Sequence, residues 1–395
     1  MSNTLKEIAQ QLRAANKKVQ LIYAFNGTGK TRLSREFKEL VAEEIDADGE
    51  DAEASDLARK NVIYYNAFTE DLFFWDNDLN DDEDRKLIIH PNAFTTWVLE
   101  EQGQGPIVID YFQKLTNSNI EPQFNADFSE IHFTIRGDEE HTPIKISKGE
   151  ESNLIWCMFY SLLNLIVEEL NTPAEERSTA DFNQLKYVFI DDPVSSLDDN
   201  HLIELAVDIA KLVKSSSAGL QFIITTHSPL FYNILANEFN NKLAKDPDAE
   251  IIDWLYRPGD SKKYRFDKNA DGTFELTLLD RKTPFSYHLH LLSEIRTAIA
   301  SGQLKKYHFS FLRNIFEKTA TFLGYDHWEN LLPRAADGNP DPFFNRILNL
   351  SSHSAHAAEE AGEVEAHDKY KLEELVNFLS SKYGFWNEPQ EVPND

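Results

Sequence analysis

Tyr187-Val-Phe-Ile-Asp-Asp-Pro-Val-Ser-Ser-Leu-Asp198 is the stretch on which the reading of the fold turns. Tyr187 to Ile190 have the composition of a parallel strand buried on both faces. Asp191 and Asp192 end that strand, Pro193 turns the chain, and Ser195-Ser196-Leu197-Asp198 opens a helix. Two carboxylates at the tip of a buried strand suit a nucleoside-triphosphate hydrolase, with Asp191 holding Mg²⁺ and Asp192 orienting the attacking water. An acidic turn after any buried strand has the same look, so the rest of the chain has to decide.

Upstream, the apolar run Val19 to Tyr23 leads into Ala24-Phe-Asn-Gly-Thr-Gly-Lys-Thr31 and then a helical stretch. This is a phosphate-binding loop with Ala24 where the first glycine is usual. Backbone N–H groups around Asn26, Gly27 and Gly29 would surround the phosphates at a helix N-terminus. Lys30 would reach the β- and γ-phosphates, and Thr31 would join Asp191 on Mg²⁺.

Ile146-Ser147-Lys148-Gly149-Glu150 precedes an apolar helix, and Phe222-Ile-Ile-Thr-Thr-His227 is another buried strand, ending in histidine. Together these pieces, in this order, resemble the ABC-type ATPases. In that family Ser147 and Gly149 match the signature loop that caps the γ-phosphate held by a second subunit, Asp198 the D-loop and His227 the switch histidine. The same Ser147 and its acidic neighbours also read as a plain helix cap. No Gln-loop is evident, and Asn66 is the nearest candidate. The expected fold is therefore an α/β ABC-type P-loop ATPase head followed by a mainly α-helical C-terminal domain.

With 395 residues the chain has room for two domains. One cysteine, no signal peptide and no long apolar segment point to a cytoplasmic protein without disulfides or a membrane. Cys157 reads as core packing. The formal net charge of −28 disfavours a broad nucleic-acid surface. Acidic runs at 41–60 and 76–84 read as solvated insertions. Residues 281–318 reverse the trend, with Arg281, Lys282, Arg296, Lys305, Lys306, Arg313 and Lys318 against two acidic residues. Such a window is either an RNA footprint or a solvated helix pair.

The boundary is expected near residue 265, giving a nucleotide-binding domain over 1–265 and a helical domain over 266–395. Strands and helices alternate in the first part, with further strands at 129–135, 251–256 and 274–279. Helices are expected at about 286–300, 304–323, 342–351 and 368–384. No sustained heptad repeat runs through the chain, which argues against an SMC-type repair ATPase with coiled-coil arms.

Arg313 and Glu317 stand four apart on one helix face, the spacing of a simple salt bridge. Downstream, Ser351-Ser-His353-Ser-Ala-His356 ends an apolar helix. Arginine, glutamate and histidine together can cleave RNA without metal. One group takes the 2′-OH proton, one protonates the leaving 5′-oxygen, and arginine neutralises the phosphate.

Beyond the general ATPase pattern, Tyr64-Tyr-Asn-Ala-Phe-Thr-Glu-Asp-Leu-Phe73, Lys145-Ile-Ser-Lys-Gly-Glu-Glu-Ser-Asn153, Ser286-Tyr-His-Leu-His290, the Arg313/Glu317 pair and Ser352-His-Ser354 closely resemble the PrrC-type tRNA anticodon nuclease family. The resemblance covers essentially the whole chain. It implies a ribonuclease triad of Arg313, Glu317 and His353, with His356 as the second choice. It implies cleavage of tRNA-Lys 5′ to the wobble nucleotide, leaving a 2′,3′-cyclic phosphate and a 5′-hydroxyl. GTP or ATP with Mg²⁺ is the implied head ligand, with dTTP in a regulatory role. A type I DNA restriction–modification complex is the implied masking partner, released from its hold by phage attack. Asp280, Lys282, Tyr287 and His288 are implied tRNA contacts, where Asp280 would pair a cationic wobble base and Tyr287 would stack. The heads are expected to assemble as a dimer or dimer of dimers, because a signature loop completes its site only on a partner. The rival expectation is an ABC-type ATPase sensor that recruits a separate effector. It would keep Lys30, Asp191 and His227 essential and make Arg313, Glu317 and His353 dispensable.

Overall fold

The computed structural model describes residues 3–46, 61–66, 73–76, 86–89, 97–116, 119–137, 143–180, 182–193, 199–216, 219–246, 253–269, 271–279, 287–335, 338–342, 344 and 364–385. The chain divides into two compact units, Met1–Phe285 and Ser286–Asp395.

The first unit carries helices α1 (Leu5–Ala14), α2 (Lys30–Asp46), α3 (Gly105–Thr116), α4 (Lys148–Asn171), α5 (Asp199–Ser215) and α6 (Pro229–Glu238). Its principal strands are β1 (Val19–Tyr23), β2 (Val62–Asn66), β7 (Tyr187–Asp191), β8 (Gln221–Thr226), β11 (Ser261–Lys268) and β12 (Phe274–Leu278). They form one sheet in the order β12-β11-β1-β8-β7-β2. All its pairs are parallel except the antiparallel edge pair β11–β12. A separate antiparallel sheet joins β3 (Phe73–Asp76), β4 (Lys86–Ile89), β6 (Glu130–Ile135) and β5 (Ile120–Phe124), in that order. Two short strands, β9 (Leu243–Ala244) and β10 (Trp254–Tyr256), pair with each other.

Strand alternation explains the layering. Val19, Leu21, Tyr23, Val188, Ile190, Phe222 and Ile224 enter one apolar cluster, with Leu154, Trp156 and Phe159 of α4 and Leu205 and Ile209 of α5. Ile22, Phe189 and Ile223 point the other way, into a second cluster with Ile8 and Leu12 of α1 and Leu33 and Phe37 of α2. Both faces of the central strands are thus covered, which is why they read as unbroken apolar runs. Burying each such side chain contributes roughly 1.5–3 kcal/mol. Helix α4 is the one described helix long and apolar enough to cross a membrane, but most of that stretch lies inside this core.

The division at 285/286 moves the boundary away from the one expected near residue 265. Residue 265 sits within β11, whose register with β1 pairs Tyr23 with Arg265. β12 then adds to the outer edge of β11. Both strands belong to the head because their hydrogen bonds do.

Among its described residues the second unit carries α7 (Tyr287–Ala300), α8 (Tyr307–Leu323), a 3-10 turn Trp328–Leu331 and α9 (Ala366–Tyr383). Its own core gathers Leu291 and Ile295 of α7, Leu312, Ile315 and Phe316 of α8, Trp328, and Leu372, Leu375 and Leu379 of α9. Gly324, at φ 75°, ends α8 in the left-handed conformation that glycine adopts without strain. The expected helix at 342–351 falls mostly outside the described residues.

Candidate functional site

Parallel register brings the carboxyl ends of β1, β7 and β8 to one edge of the sheet. Tyr23 is level with Thr226, and Asp191 with Thr225. From β1 the chain turns through a loop in which Gly27 has φ 80° and Gly29 φ 110°, values that a side chain rarely tolerates. A Cβ on Gly27 would meet nothing within 4 Å, so backbone conformation and not crowding requires glycine there. α2 begins directly at Lys30, so its N-terminal end opens onto the loop.

Lys30 is buried and folds back over the loop. Its Nζ donates to the carbonyls of Ala24 and Phe25 at 3.3 and 3.4 Å and to Asn26 Oδ1 at 3.3 Å. The same ammonium lies 3.3 Å from Asp192 Oδ2. Asp192 Oδ2 in turn sits 2.6 Å from His227 Nδ1, while the His227 amide donates to Asp192 Oδ1 at 3.3 Å. Asp192 holds this place with φ 52°, a conformation uncommon for any residue but glycine. Burial pushes its carboxyl up, but the His227 hydrogen bond and the charges of Lys30 and His227 outweigh that, so it is held below the usual range.

Asp191 has a different surrounding. Its Oδ1 accepts from Thr225 Oγ1 at 2.6 Å, and its Oδ2 accepts from Thr31 Oγ1 at 2.8 Å and Tyr64 OH at 3.2 Å. These hydrogen-bond donors are three neutral hydroxyls. Burial raises its pKa, the hydroxyls of Thr225 and Thr31 lower it, and neighbouring Asp192 adds to the rise. A buried carboxylate beside a threonine hydroxyl, with its charge disfavoured, is a hard-oxygen donor pair suited to Mg²⁺, whose other ligands are water and phosphate oxygens. Thr31 and Asp191 would hold that ion, which supplies neutralisation of phosphate charge when bound.

Asn26, Gly27, Gly29, Lys30, Thr31, Asp191, Asp192 and His227 are therefore assembled at one sheet edge. Sequence reading missed Thr225, which register sets level with Asp191, and Tyr64, which is level with Phe189 and reaches Asp191 through its hydroxyl. Ser147 and Gly149 open a different helix. There Ser147 Oγ accepts from the Glu150 amide at 3.3 Å and Glu150 Oε2 accepts from the Ser147 amide at 2.7 Å, a reciprocal cap that leaves Ser147 and Lys148 exposed. None of the described hydrogen bonds links them to the Lys30–Asp192 group. Asp198, Asp280, Lys282, His353 and His356 lie outside the described residues.

In the second unit Arg313 Nε donates to Glu317 Oε1 at 2.9 Å on the outer face of α8. The Arg313 guanidinium also lies over the Trp328 ring, 5.5 Å from its centre, a contact no helical spacing announces. Arg313 is thus held on two sides, by the Glu317 carboxylate and the Trp328 ring. His288 of α7 is half-buried and hydrogen-bonded to Asn314 of α8, and its ring stands 5.3 Å from that of Tyr287. Burial and then the Lys318 charge hold its pKa down, against the Asn314 hydrogen bond.

This strand order and phosphate cradle define a P-loop NTPase head carrying a separate helical unit. The sequence profile described as an AAA domain matches residues 106–381, from α3 across the Asp191 and His227 strands into the second unit. Loosely similar solved structures include an SMC head bound to the C-winged helix domain of ScpA (12% identity, 68% of this chain and 91% of that one, TM-score 0.31). Another is cbiO1 from Clostridium perfringens, part of the cbiONQ ABC transporter complex (13% identity, 71% and 83%, TM-score 0.30). Likenesses this loose carry no weight for the fold, which rests on strand order and register. Over 416 aligned residues the chain is 48% identical to an anticodon nuclease of Escherichia coli, covering 99% of each. The chain belongs to the anticodon nuclease family.

Proposed function

We propose that the chain is an NTP-regulated endoribonuclease that cuts tRNA-Lys on the 5′ side of the wobble nucleotide. The observation that carries this reading is the full-length identity to an anticodon nuclease, together with an exposed Arg313–Glu317 pair on a unit separate from the NTPase head. In the reaction the ribose 2′-oxygen attacks the adjacent phosphorus as its proton passes to a general base. The bond to the 5′-oxygen breaks, and a general acid protonates that oxygen. A 2′,3′-cyclic phosphate and a 5′-hydroxyl result. Glu317 and His353 share the acid and base roles, and Arg313 offsets charge on the crowded phosphate.

The head binds GTP or ATP with Mg²⁺ on Thr31 and Asp191, and dTTP acts as a regulatory nucleotide. Dimerisation of heads, singly or as a dimer of dimers, is supported by the helix start at Ser147 and Gly149, where Ser147 is exposed and none of the described hydrogen bonds ties it to the Lys30–Asp192 group. Asp198 joins that interface. Asp280, Lys282, Tyr287 and His288 contact the anticodon. The nuclease works in the cytoplasm, masked by a type I DNA restriction–modification complex until phage attack. The division of labour follows the two units, a head over 1–285 and a nuclease over 286–395.

End chemistry tests the reading. Fragments made from total tRNA should accept a 5′-phosphate from a kinase without prior phosphatase treatment and should carry cyclic phosphate on the other end. Fragments with 5′-phosphates would reject the mechanism.

A further inference from the structure

Helix α8 buries Phe309, Leu312, Ile315, Phe316 and Ala320 on one side. Its opposite side carries Tyr307, Phe311, Asn314, Lys318 and Phe322, spaced by four, three, four and four residues, so they form one row along the helix. Tyr307 is 43% exposed and Phe322 86% exposed, an extreme value for a phenylalanine. The Tyr307 and Phe311 rings stand 5.2 Å apart at one end of the row. Asn314, held by His288, and Lys318 occupy the middle. Arg313 and Glu317 form the adjacent row, each one residue before Asn314 and Lys318.

We propose that this face of α8 is a track for unpaired RNA, with Phe322 and Tyr307 as stacking platforms and Lys318 as a phosphate contact. The inference deepens the nuclease reading and rests on it. Exposed rings interleaved with an amide and a cation are what single-stranded nucleic acid needs, because every unpaired base offers a π-face and every linkage a charge. Bases locked in a duplex cannot use such rings. Charge selects the occupant. Residues 287–323 hold Arg296, Lys305, Lys306, Arg313 and Lys318 against Glu294 and Glu317, in a chain whose net charge is −28. A second copy of the chain docking here symmetrically would set like charges face to face.

Lys318 lies one turn before Phe322 in the same row, about 6 Å along the axis, so a base seated on Phe322 brings a neighbouring phosphate to the Lys318 ammonium.

The test uses a fluorescent tRNA-Lys anticodon stem-loop and the full chain carrying Glu317→Gln, with RNA affinity read by anisotropy and oligomer size by sedimentation. Adding Phe322→Ala should weaken binding by about tenfold or more with an unchanged melting midpoint, and Phe322→Trp should restore it. Lys318→Ala should lower the slope of log affinity against log salt by about 0.7. Unchanged affinity in Phe322→Ala would overturn the track, and so would a loss of dimer without a loss of affinity, which would mark a self-contact. If the Glu317→Gln parent binds no stem-loop and wild type cuts no tRNA, the nuclease reading falls first, and the track with it.

Discussion

The carboxylate of Asp192 lies 3.3 Å from the ammonium of Lys30, and both groups are buried. The ammonium of the glycine-rich loop is thus already engaged by the second carboxylate of the strand tip, the group proposed to orient water. Nucleotide must take Lys30 from Asp192, which leaves Asp192 to His227. Asp192→Asn should therefore have opposite effects on two measurements. Nucleotide binding should tighten several-fold, because a competitor for Lys30 has lost its charge. Turnover should fall by about 10²–10⁴-fold, the usual worth of a positioned acid–base group. Unchanged turnover would remove Asp192 from the chemistry.

The two neighbouring aspartates should respond to pH with opposite signs. Asp192 is held below its ordinary value of 3.8, so its stabilising contribution is present above that value and lost as pH falls through the lower native one. Asp191 is raised above 3.8, so its charged form costs stability as pH climbs from 3.8 through the raised value. Asp191→Asn should raise the melting midpoint of the nucleotide-free protein at neutral pH and leave it unaltered well below 3.8. It should also abolish the further rise that Mg²⁺–nucleotide gives wild type. Melting curves at the two pH values check both statements.

Much of this site is legible in the amino-acid sequence, and the reason is local. Asp191 and His227 end short strand-like runs, Lys30 and Thr31 follow one across a glycine-rich loop, and strand tips followed by tight turns announce themselves by composition. Register is not local, so Tyr64 and Thr225 stay hidden. The domain boundary is misplaced because β11, Ser261–Lys268, is mostly polar. Tyr264 and Phe266 are its only buried side chains. Buried on one face only, it has the composition of a loop. Trp328 under Arg313 comes from a later turn that nothing in the helical spacing foretells.

Thr225→Val tests the hidden support. It removes the 2.6 Å hydrogen bond to Asp191 Oδ1 while keeping shape, leaving a buried carboxylate oxygen without that donor. The expected cost is about 1–3 kcal/mol of stability. The Mg²⁺ concentration that half-saturates nucleotide binding should also shift. A loss of stability with no change in Mg²⁺ dependence would reduce Thr225 to a packing residue.

Arg313→Ala should separate the two units functionally. Its hydrogen bond to Glu317 and its stacking on Trp328 are worth about 1 kcal/mol together, so the protein should remain folded. RNA cleavage should drop by about 10²–10³-fold, the worth of one preorganised donor on a developing charge. NTP hydrolysis by the head should persist. Arg313→Lys should not recover cleavage, because a point charge cannot replace the planar fork.

The most direct measurement incubates purified wild type, Glu317→Gln and His353→Ala with total tRNA, with and without GTP or ATP, and maps new ends by sequencing. The expected result is one cut beside the tRNA-Lys wobble nucleotide, dependent on nucleotide state, made by wild type and by neither variant. Intact tRNA alongside measurable NTP hydrolysis, after any co-purified partner has been stripped away, would contradict the account and leave a head without a nuclease of its own.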